Sequence, residues 1–193
     1  MLPALPVAGF DRVAGTISLL HPEAGSVADE LGRVRPGESA RFDGPLGRGF
    51  ALDARSRYLL LVADSEGFAR VRAVVDEAVA SGRQVTVLLG ARSVAEVYPS
   101  SLLPEQAEYV VTTADGSLGH HGSVADLVTE YEAWADQCFA AGSEALLARM
   151  AALAKGRESR MGVARLGRRR ARRGHRSAAD ERRRAWLQVA LPY

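Results

Sequence analysis

Four short, mostly apolar runs constrain this chain more than any other feature. Tyr58 to Ala63 (YLLLVA) and Val85 to Leu89 (VTVLL) are the clearest, and Tyr109 to Thr112 (YVVT) and Gln137 to Ala141 (QCFAA) repeat the pattern. Strands that are apolar without alternation are typical of a parallel sheet covered on both faces. Amphipathic spacing or an N-cap serine predicts helices over Gly67 to Ala80, about Ser123 to Trp134, and Ser143 to Ala154. Together they predict a three-layer α/β fold with a mostly parallel sheet.

The first fifty residues have a different texture. Thr16 to Leu20 (TISLL) predicts a strand, and Arg35-Pro36-Gly37-Glu38 is a turn signal. Gly44 to Phe50 (GPLGRGF) is too rich in glycine for the interior of a helix or strand. This region is therefore predicted to hold short strands and a specialised loop.

Charge is segregated along the chain. Residues 155–184 contain thirteen Lys and Arg but only three Asp and Glu, which leaves the rest of the chain acidic. With few large apolar residues, this segment predicts a mobile or partly helical linker. It could attract nucleic acid or dock on an acidic surface, but no aromatic residues are interleaved with its arginines, so nucleic-acid binding is disfavoured. Trp186 to Leu191 (WLQVAL) predicts a final strand.

Cysteine content and hydropathy exclude several classes of protein. The only cysteine, Cys138, rules out an internal disulfide, a four-thiolate zinc site and a self-contained iron–sulfur cluster. It lies in an apolar run, where a buried, small hydrophobic residue is expected. No stretch reaches the roughly 20 apolar residues of a membrane span, so we expect a cytoplasmic protein without membrane contact.

The loops after the predicted strands should share one edge of the sheet, where α/β folds bind ligands. The first is Ala63-Asp64-Ser65-Glu66-Gly67. A dinucleotide-binding loop usually has several glycines here, whereas this one has only Gly67, and Asp64 and Glu66 would repel phosphate. A plain strand-to-helix connection is therefore favoured over a phosphate-binding loop.

Two further loops carry ligand chemistry. Gly90-Ala91-Arg92-Ser93 offers a guanidinium and a hydroxyl that could meet ribose or phosphate oxygens, although a turn with a solvated arginine would look the same. The loop from Thr113 to Gly122 (TADGSLGHHG) contains three glycines and the adjacent His120 and His121. Without a third ligand at suitable spacing, a metal site is disfavoured. A loop shaped around a ligand or partner is the better interpretation.

The chain resembles the electron-transfer subunit of heteromeric dihydroorotate dehydrogenase, within the ferredoxin-reductase superfamily. The segments that carry the resemblance are, in chain order, GPLGRGF, YLLLVA, VTVLLGARS, VVTTADGSLGHHGSVADLV and QCFAAGSEALLARM. The resemblance runs from about Thr16 to Leu153. It implies a ferredoxin-reductase-like, parallel-sheet NAD-binding domain preceded by a partial antiparallel β-barrel that binds FAD. It also implies an electron-transfer oxidoreductase subunit, which passes electrons between NAD(H), FAD and an iron–sulfur centre or a catalytic partner subunit.

The resemblance assigns cofactor contacts to named positions and assigns no catalytic residue. On the FAD side and in the link between the domains it implies Gly25, Ser26, Gly44, Pro45, Leu46, Gly47 and Phe50. On the NAD(H) side it implies Gly67, Gly90, Ala91, Arg92, Ser93, Asp115, Gly116, Ser117 and Gly142. The implied domain boundaries are 1–52 for the partial barrel, 53–155 for the NAD-binding domain, 156–185 for the Arg-rich linker and 186–193 for the C-terminal strand.

Departures from the family pattern leave an alternative open. The family's glycine-rich NAD loop stands here as ADSEG, its Cys-Gly-Pro as Ala141-Gly142-Ser143, and its four [2Fe–2S] cysteines are absent. The chain also opens where the second half of the family's barrel is expected. These features predict a truncated or degenerate relative. The alternative function is a catalytically silent, partner-binding scaffold that keeps the α/β fold.

Overall fold

The computed structural model describes residues 5–11, 13–20, 33–39, 42, 49–155, 163–166 and 187–190. An antiparallel pair comes first, formed by β1 (Val7–Asp11) and β2 (Thr16–Leu19). The α/β elements follow in chain order as β3 (Tyr58–Asp64), α1 (Phe68–Ala80), β4 (Gln84–Ala91), β5 (Ala107–Thr113), β6 (His120–His121), α2 (Val124–Tyr131), β7 (Gln137–Ala141), α3 (Glu144–Lys155), β8 (Val163–Leu166) and β9 (Leu187–Ala190). Two short 3₁₀ turns, Val94–Glu96 and Ser100–Leu102, lie between β4 and β5.

Strands β3 to β9 form one sheet in the order β6-β5-β4-β3-β7-β9-β8, and every neighbouring pair is parallel. From β3 the chain builds outwards through β4, β5 and β6. It then crosses back to place β7 on the other side of β3. The direction of winding reverses between β3 and β7, so the topological switch point of the sheet lies at their carboxyl ends. The predicted parallel α/β fold is confirmed.

The core has two layers, one on each face of the sheet. Residues of β3 alternate between them: Leu59 and Leu61 pack towards α1, whereas Leu60 and Val62 pack towards α2 and α3. All four are fully buried. This two-sided burial explains why the strand is an unbroken apolar run, because neither face meets water. Cys138 lies in the layer of α2 and α3 and is fully buried, as expected.

Residues 49–57, immediately before β3, pack against the sheet near the amino end of β7. The ring of Phe50 packs edge to face on the buried Phe139 of β7, with ring centroids 5.1 Å apart. The carboxylate of Asp136 accepts hydrogen bonds from the amides of Arg57 and Tyr58 at 2.9 and 3.1 Å. The β1–β2 pair leaves the cross-strand neighbours Phe10 and Ile17 exposed.

Several expectations need adjustment. Strand β5 is longer than the predicted Tyr109 to Thr112, and helix α2 ends at Tyr131 rather than near Trp134. Strand β1 was not predicted. The prediction of linker structure over 156–185 is wrong at Val163–Leu166, because this segment forms the edge strand β8, paired with β9. A short β-prone segment with little amphipathic pattern needs a neighbouring strand, and only the folded sheet supplies one. The predicted C-terminal strand is confirmed as β9, which extends the sheet beyond β7.

Candidate functional site

The loops that follow β3, β4, β5 and β7 lie at one edge of the sheet, as the sequence predicts. Parallel pairing sets this arrangement, because Asp64, Gly90 and Thr112 are register partners at the ends of three adjacent strands, and Ala63 pairs with Ala141. Hydrogen bonds also link the loops: the Ser65 hydroxyl donates to the Glu96 carbonyl at 3.2 Å, and the Val94 amide donates to the Ser117 hydroxyl at 2.8 Å. These loops form the candidate site.

At the switch point the carboxylate of Asp64 bridges the starts of two helices. Its Oδ1 accepts a hydrogen bond from the Gly67 amide at 3.0 Å, where α1 begins. Its Oδ2 accepts a hydrogen bond from the Ser143 amide at 2.7 Å, immediately before α3. The first amides of a helix have no partner within the helix and carry partial positive charge, so they attract an anion. Here the anion is a side chain of the protein itself.

The two glycines beside this carboxylate are tightly packed. A Cβ built on Gly142 would overlap the carboxylate of Asp64, and a Cβ on Gly67 would overlap the carbonyl of Ala141. Both glycines are buried. Glycine is therefore required at both positions for close packing of β3, β7 and the two helix starts. The expected loop glycines are in place, but they surround a carboxylate.

The loop after β4 presents Arg92, whose side chain is 88% exposed. Its guanidinium forms an ion pair with Glu96, with a hydrogen bond of 2.6 Å from Nε to Oε1, and its amide donates to the same carboxylate. These bonds raise the pKa of Arg92 and lower the pKa of Glu96. The guanidinium of Arg92 lies at the carboxyl edge of the sheet, as predicted, and it is paired there with the Glu96 carboxylate.

The loop after β5 is held by its own polar groups. The carboxylate of Asp115 accepts hydrogen bonds from the Ser117 hydroxyl at 2.6 Å and amide at 2.9 Å, which lower the pKa of Asp115. The Thr113 hydroxyl bridges the Leu118 amide and carbonyl. Gly116 has a positive φ of 73°, which glycine adopts without strain. Hydrogen bonds within the loop therefore fix its conformation.

Not every position predicted for cofactor contact opens onto this edge. Gly90 is buried beneath helix α2, where a Cβ would lie 2.8 Å from the Cγ1 of Val124, so packing alone requires a glycine. Ala91 is the last residue of β4, and Ser93 lies in the loop after Arg92. Phe50 packs into the core layer of α1. The structure thus brings Gly67, Arg92, Ser93, Asp115, Gly116, Ser117 and Gly142 to the carboxyl edge. Gly25, Ser26, Gly44, Pro45, Leu46 and Gly47 lie outside the described residues.

Two residues that organise this edge were not predicted as site residues. Asp64 was expected only to repel phosphate, and Glu96 was not singled out. A local signal for Asp64 exists, because an aspartate three residues before a helix start can bond the amide there. Its second partner, Ser143, is 79 residues further along the chain, and no sequence pattern indicates that contact.

Within the part of the chain that the structure describes, no group of three His, Cys, Asp or Glu residues could hold a metal ion. The imidazole Nε2 of His121 lies 3.0 Å from the Ala114 carbonyl, so this ring belongs to the loop's own hydrogen bonds. No helix among the described residues is both long and apolar enough to cross a membrane.

The chain is similar to curated electron-transfer subunits of dihydroorotate dehydrogenase B (NAD(+)). It is 34% identical to the subunit of Desulforamulus reducens over 124 residues, which are 64% of this chain and 47% of the relative. It is 32% identical to the subunit of a Geobacillus species over 145 residues, which are 74% of this chain and 56% of the relative. The chain therefore spans about half the length of the curated relatives it matches. No family model matches the chain.

Solved structures show the same fold. The NADH-dependent reduced ferredoxin–NADP oxidoreductase superposes with a TM-score of 0.67 at 24% identity, over 78% of this chain and 55% of that one. A ferredoxin reductase of carbazole 1,9a-dioxygenase superposes with a TM-score of 0.52 at 17% identity, over 58% of this chain and 38% of that one. The predicted ferredoxin-reductase-like fold is confirmed.

Proposed function

Because this chain is a homologue of the electron-transfer subunits of dihydroorotate dehydrogenase B, we propose that it acts as a subunit of an electron-transfer oxidoreductase. The observation that carries the proposal is 32% identity over 145 residues to a relative with that role, spread across 74% of the chain. The ferredoxin-reductase-like sheet supports it independently at the level of the fold. In this role the chain assembles with a catalytic oxidoreductase subunit.

The relatives imply that FAD and NAD(H) are the cofactors of such a subunit. We propose residues 1–52 as the part of a flavin barrel, 53–155 as the nucleotide domain, 156–185 as the Arg-rich segment and 186–193 as the strand that extends the sheet. On the flavin side the implied contacts lie outside the described residues, apart from Phe50. The sequence contains one cysteine, so this chain does not supply the four thiolates of a [2Fe–2S] cluster.

On the NAD(H) side the residues fit only part of a dinucleotide. Arg92, Ser93, Asp115 and Ser117 offer hydrogen-bonding groups for an adenosine ribose at the edge loops. The diphosphate position at the switch point does not fit, because Asp64 already accepts from the Gly67 and Ser143 amides there. The described residues therefore do not support a hydride-transfer step on this chain.

That mismatch favours a second candidate function. A chain that keeps the fold but closes its diphosphate position would serve as a catalytically silent scaffold for a partner subunit. Electrons would then move on cofactors held by the partner. Both candidates require a complex, and they differ in whether NADH is a substrate of that complex.

The test is co-expression with the catalytic dihydroorotate dehydrogenase subunit of the same organism, followed by size-exclusion chromatography with light scattering. We expect the two chains to elute together with the summed mass of a defined complex. Separate elution of two folded chains would refute the proposed role. Addition of FAD, NADH and ferricyanide to the complex then separates the two candidate functions. Reduction of ferricyanide by NADH identifies an electron-transfer subunit, and no reduction identifies a scaffold.

A further inference from the structure

The Asp64 carboxylate occupies the place where this fold would hold a phosphate group. In open α/β sheets, ligands bind at the carboxyl ends of the strands where the winding reverses, and phosphate groups accept from amides at a helix start. Here that point lies between β3 and β7. The amides that face it belong to Gly67 and Ser143, and both donate to Asp64, at 3.0 and 2.7 Å.

Space and charge both act against a second anion. Gly142 packs so closely on the carboxylate that even one added carbon atom would overlap it. A diphosphate at this point would bring its negative oxygens against Asp64 in a partly buried setting, where repulsion is screened less than in water. It would also find both helix-start amides engaged. A bound diphosphate and the bonded Asp64 carboxylate therefore exclude one another.

The neighbouring loop reinforces the closed arrangement. The Ser65 hydroxyl, one residue after Asp64, donates to the main-chain carbonyl of Glu96. The Glu96 carboxylate pairs with Arg92, which is the predicted cationic contact for ribose or phosphate. The guanidinium is thus paired within its own loop. The Ser65 contact therefore ties the loop after β3 to the loop after β4.

We infer that the Asp64 carboxylate closes the diphosphate position of this ferredoxin-reductase-like sheet, so that the chain does not bind a nicotinamide dinucleotide at its switch point. The inference concerns the chain's own residues and does not depend on the partner subunit. It makes Asp64 the residue whose replacement opens the position.

The test is isothermal titration of the full chain with ADP-ribose and with NADH, in the wild type and in Asp64→Gly, which restores a glycine and removes the carboxylate. We expect no saturable binding by the wild type in the millimolar range and at least a tenfold gain in affinity in Asp64→Gly. Asp126→Asn is the matched control, because it removes an exposed carboxylate from the first turn of α2. It should behave as the wild type.

Asp64→Gly also removes the partner of two helix-start amides, so circular dichroism must show that it folds. Asp64→Ala also removes the carboxylate but keeps a side-chain carbon that limits backbone freedom, and it serves if the glycine variant does not fold. Submillimolar binding of NADH by the wild type, displaced by ADP-ribose, would overturn the inference. So would a folded Asp64 variant that gains no affinity for ADP-ribose. Failure of the chain to assemble with its catalytic subunit would count against the proposed function and leave this result unaffected.

Discussion

The buried side-chain amide of Gln137 holds the main chain of Asp53, 84 residues earlier in the chain. Its Oε1 accepts a hydrogen bond from the Asp53 amide at 3.0 Å, and its Nε2 donates to the Ala51 carbonyl at 2.9 Å. Gln137 is the first residue of β7 and is only 1% exposed. The linker to the N-terminal region is therefore fixed to the centre of the sheet by a polar contact inside the protein.

Replacement of Gln137 by leucine should lower the free energy of unfolding by about 2–3 kcal/mol. The substitution removes two hydrogen bonds and leaves the partly buried Asp53 amide without its Gln137 acceptor. Urea unfolding followed by circular dichroism measures the change. Gln84→Leu is the control, because Gln84 is exposed at the start of β4 and should change stability by less than about 0.5 kcal/mol. Equal effects of the two substitutions would show that the Gln137 contact contributes nothing.

Gly90→Ala should destabilise the protein by about 1–3 kcal/mol, since the added Cβ would lie 2.8 Å from the Cγ1 of Val124 and helix α2 would have to shift. Gly49→Ala is the control, because no described residue lies within 4 Å of a Cβ at that position. Thermal or urea unfolding of both variants measures the difference.

The clash at Gly90 predicts a specific coupling with Val124. In the double variant Gly90→Ala with Val124→Ala, the smaller side chain on α2 should accommodate the new methyl group. The loss of unfolding free energy in the double variant should therefore be smaller than the sum of the two single losses by at least about 0.5 kcal/mol. Additive effects would mean that Gly90 is not required for the packing of α2.

The Cys138 thiol should be unreactive in the folded protein. It is fully buried, and burial raises its pKa well above the ordinary value, so almost no thiolate is present at neutral pH. Reaction with a disulfide reagent should follow global unfolding and accelerate in urea with the unfolding transition. In Ser101→Cys, which adds a thiol at an exposed position, one equivalent should react at once. Rapid reaction of the native wild type would contradict the buried position of Cys138.

The loop after β5 should weaken in acid. Its Asp115 has a folded-state pKa below the ordinary 3.8, chiefly because the Ser117 hydroxyl and amide bond to the carboxylate. The stabilisation is therefore present above about pH 4 and is lost as pH falls through the lowered folded pKa. Carbon-13 NMR titration of the Asp115 carboxyl should show a higher pKa in Ser117→Ala than in the wild type. Ser101→Ala should leave it unchanged, and identical titrations in all three proteins would refute the role of Ser117.

Local patterns were enough to predict most of the elements. The spacing of Phe68, Val71, Val74 and Val75 predicts α1, and the N-cap serine Ser143 predicts where α3 begins. The Ser143 hydroxyl does accept a hydrogen bond from the Leu146 amide in the first turn. Edge strand β8 was missed because four residues in an arginine-rich segment carry little signal of their own. Its strand structure depends on pairing with β9, which begins 21 residues after β8 ends.

The candidate site was predicted in its location but not in its chemistry. Glycines and polar residues after each strand point to the carboxyl edge, and parallel pairing brings them there. What the sequence could not show is which charged group ends beside which helix start. Asp64 and Glu66 both looked like residues that repel phosphate, and only one of them accepts from the Ser143 amide.

The amino-acid sequence by itself determined that strands buried on both faces alternate with amphipathic helices, because continuous apolar runs have no stable place except between two layers of cover. Tertiary structure alone decided the order of the strands, with β3 and β7 adjacent across the point where the winding reverses. It also decided that the Asp64 carboxylate lies between two helix starts. The physical reason is that parallel pairing joins segments distant in the chain, so these contacts are set by packing of the whole sheet and not by any local pattern.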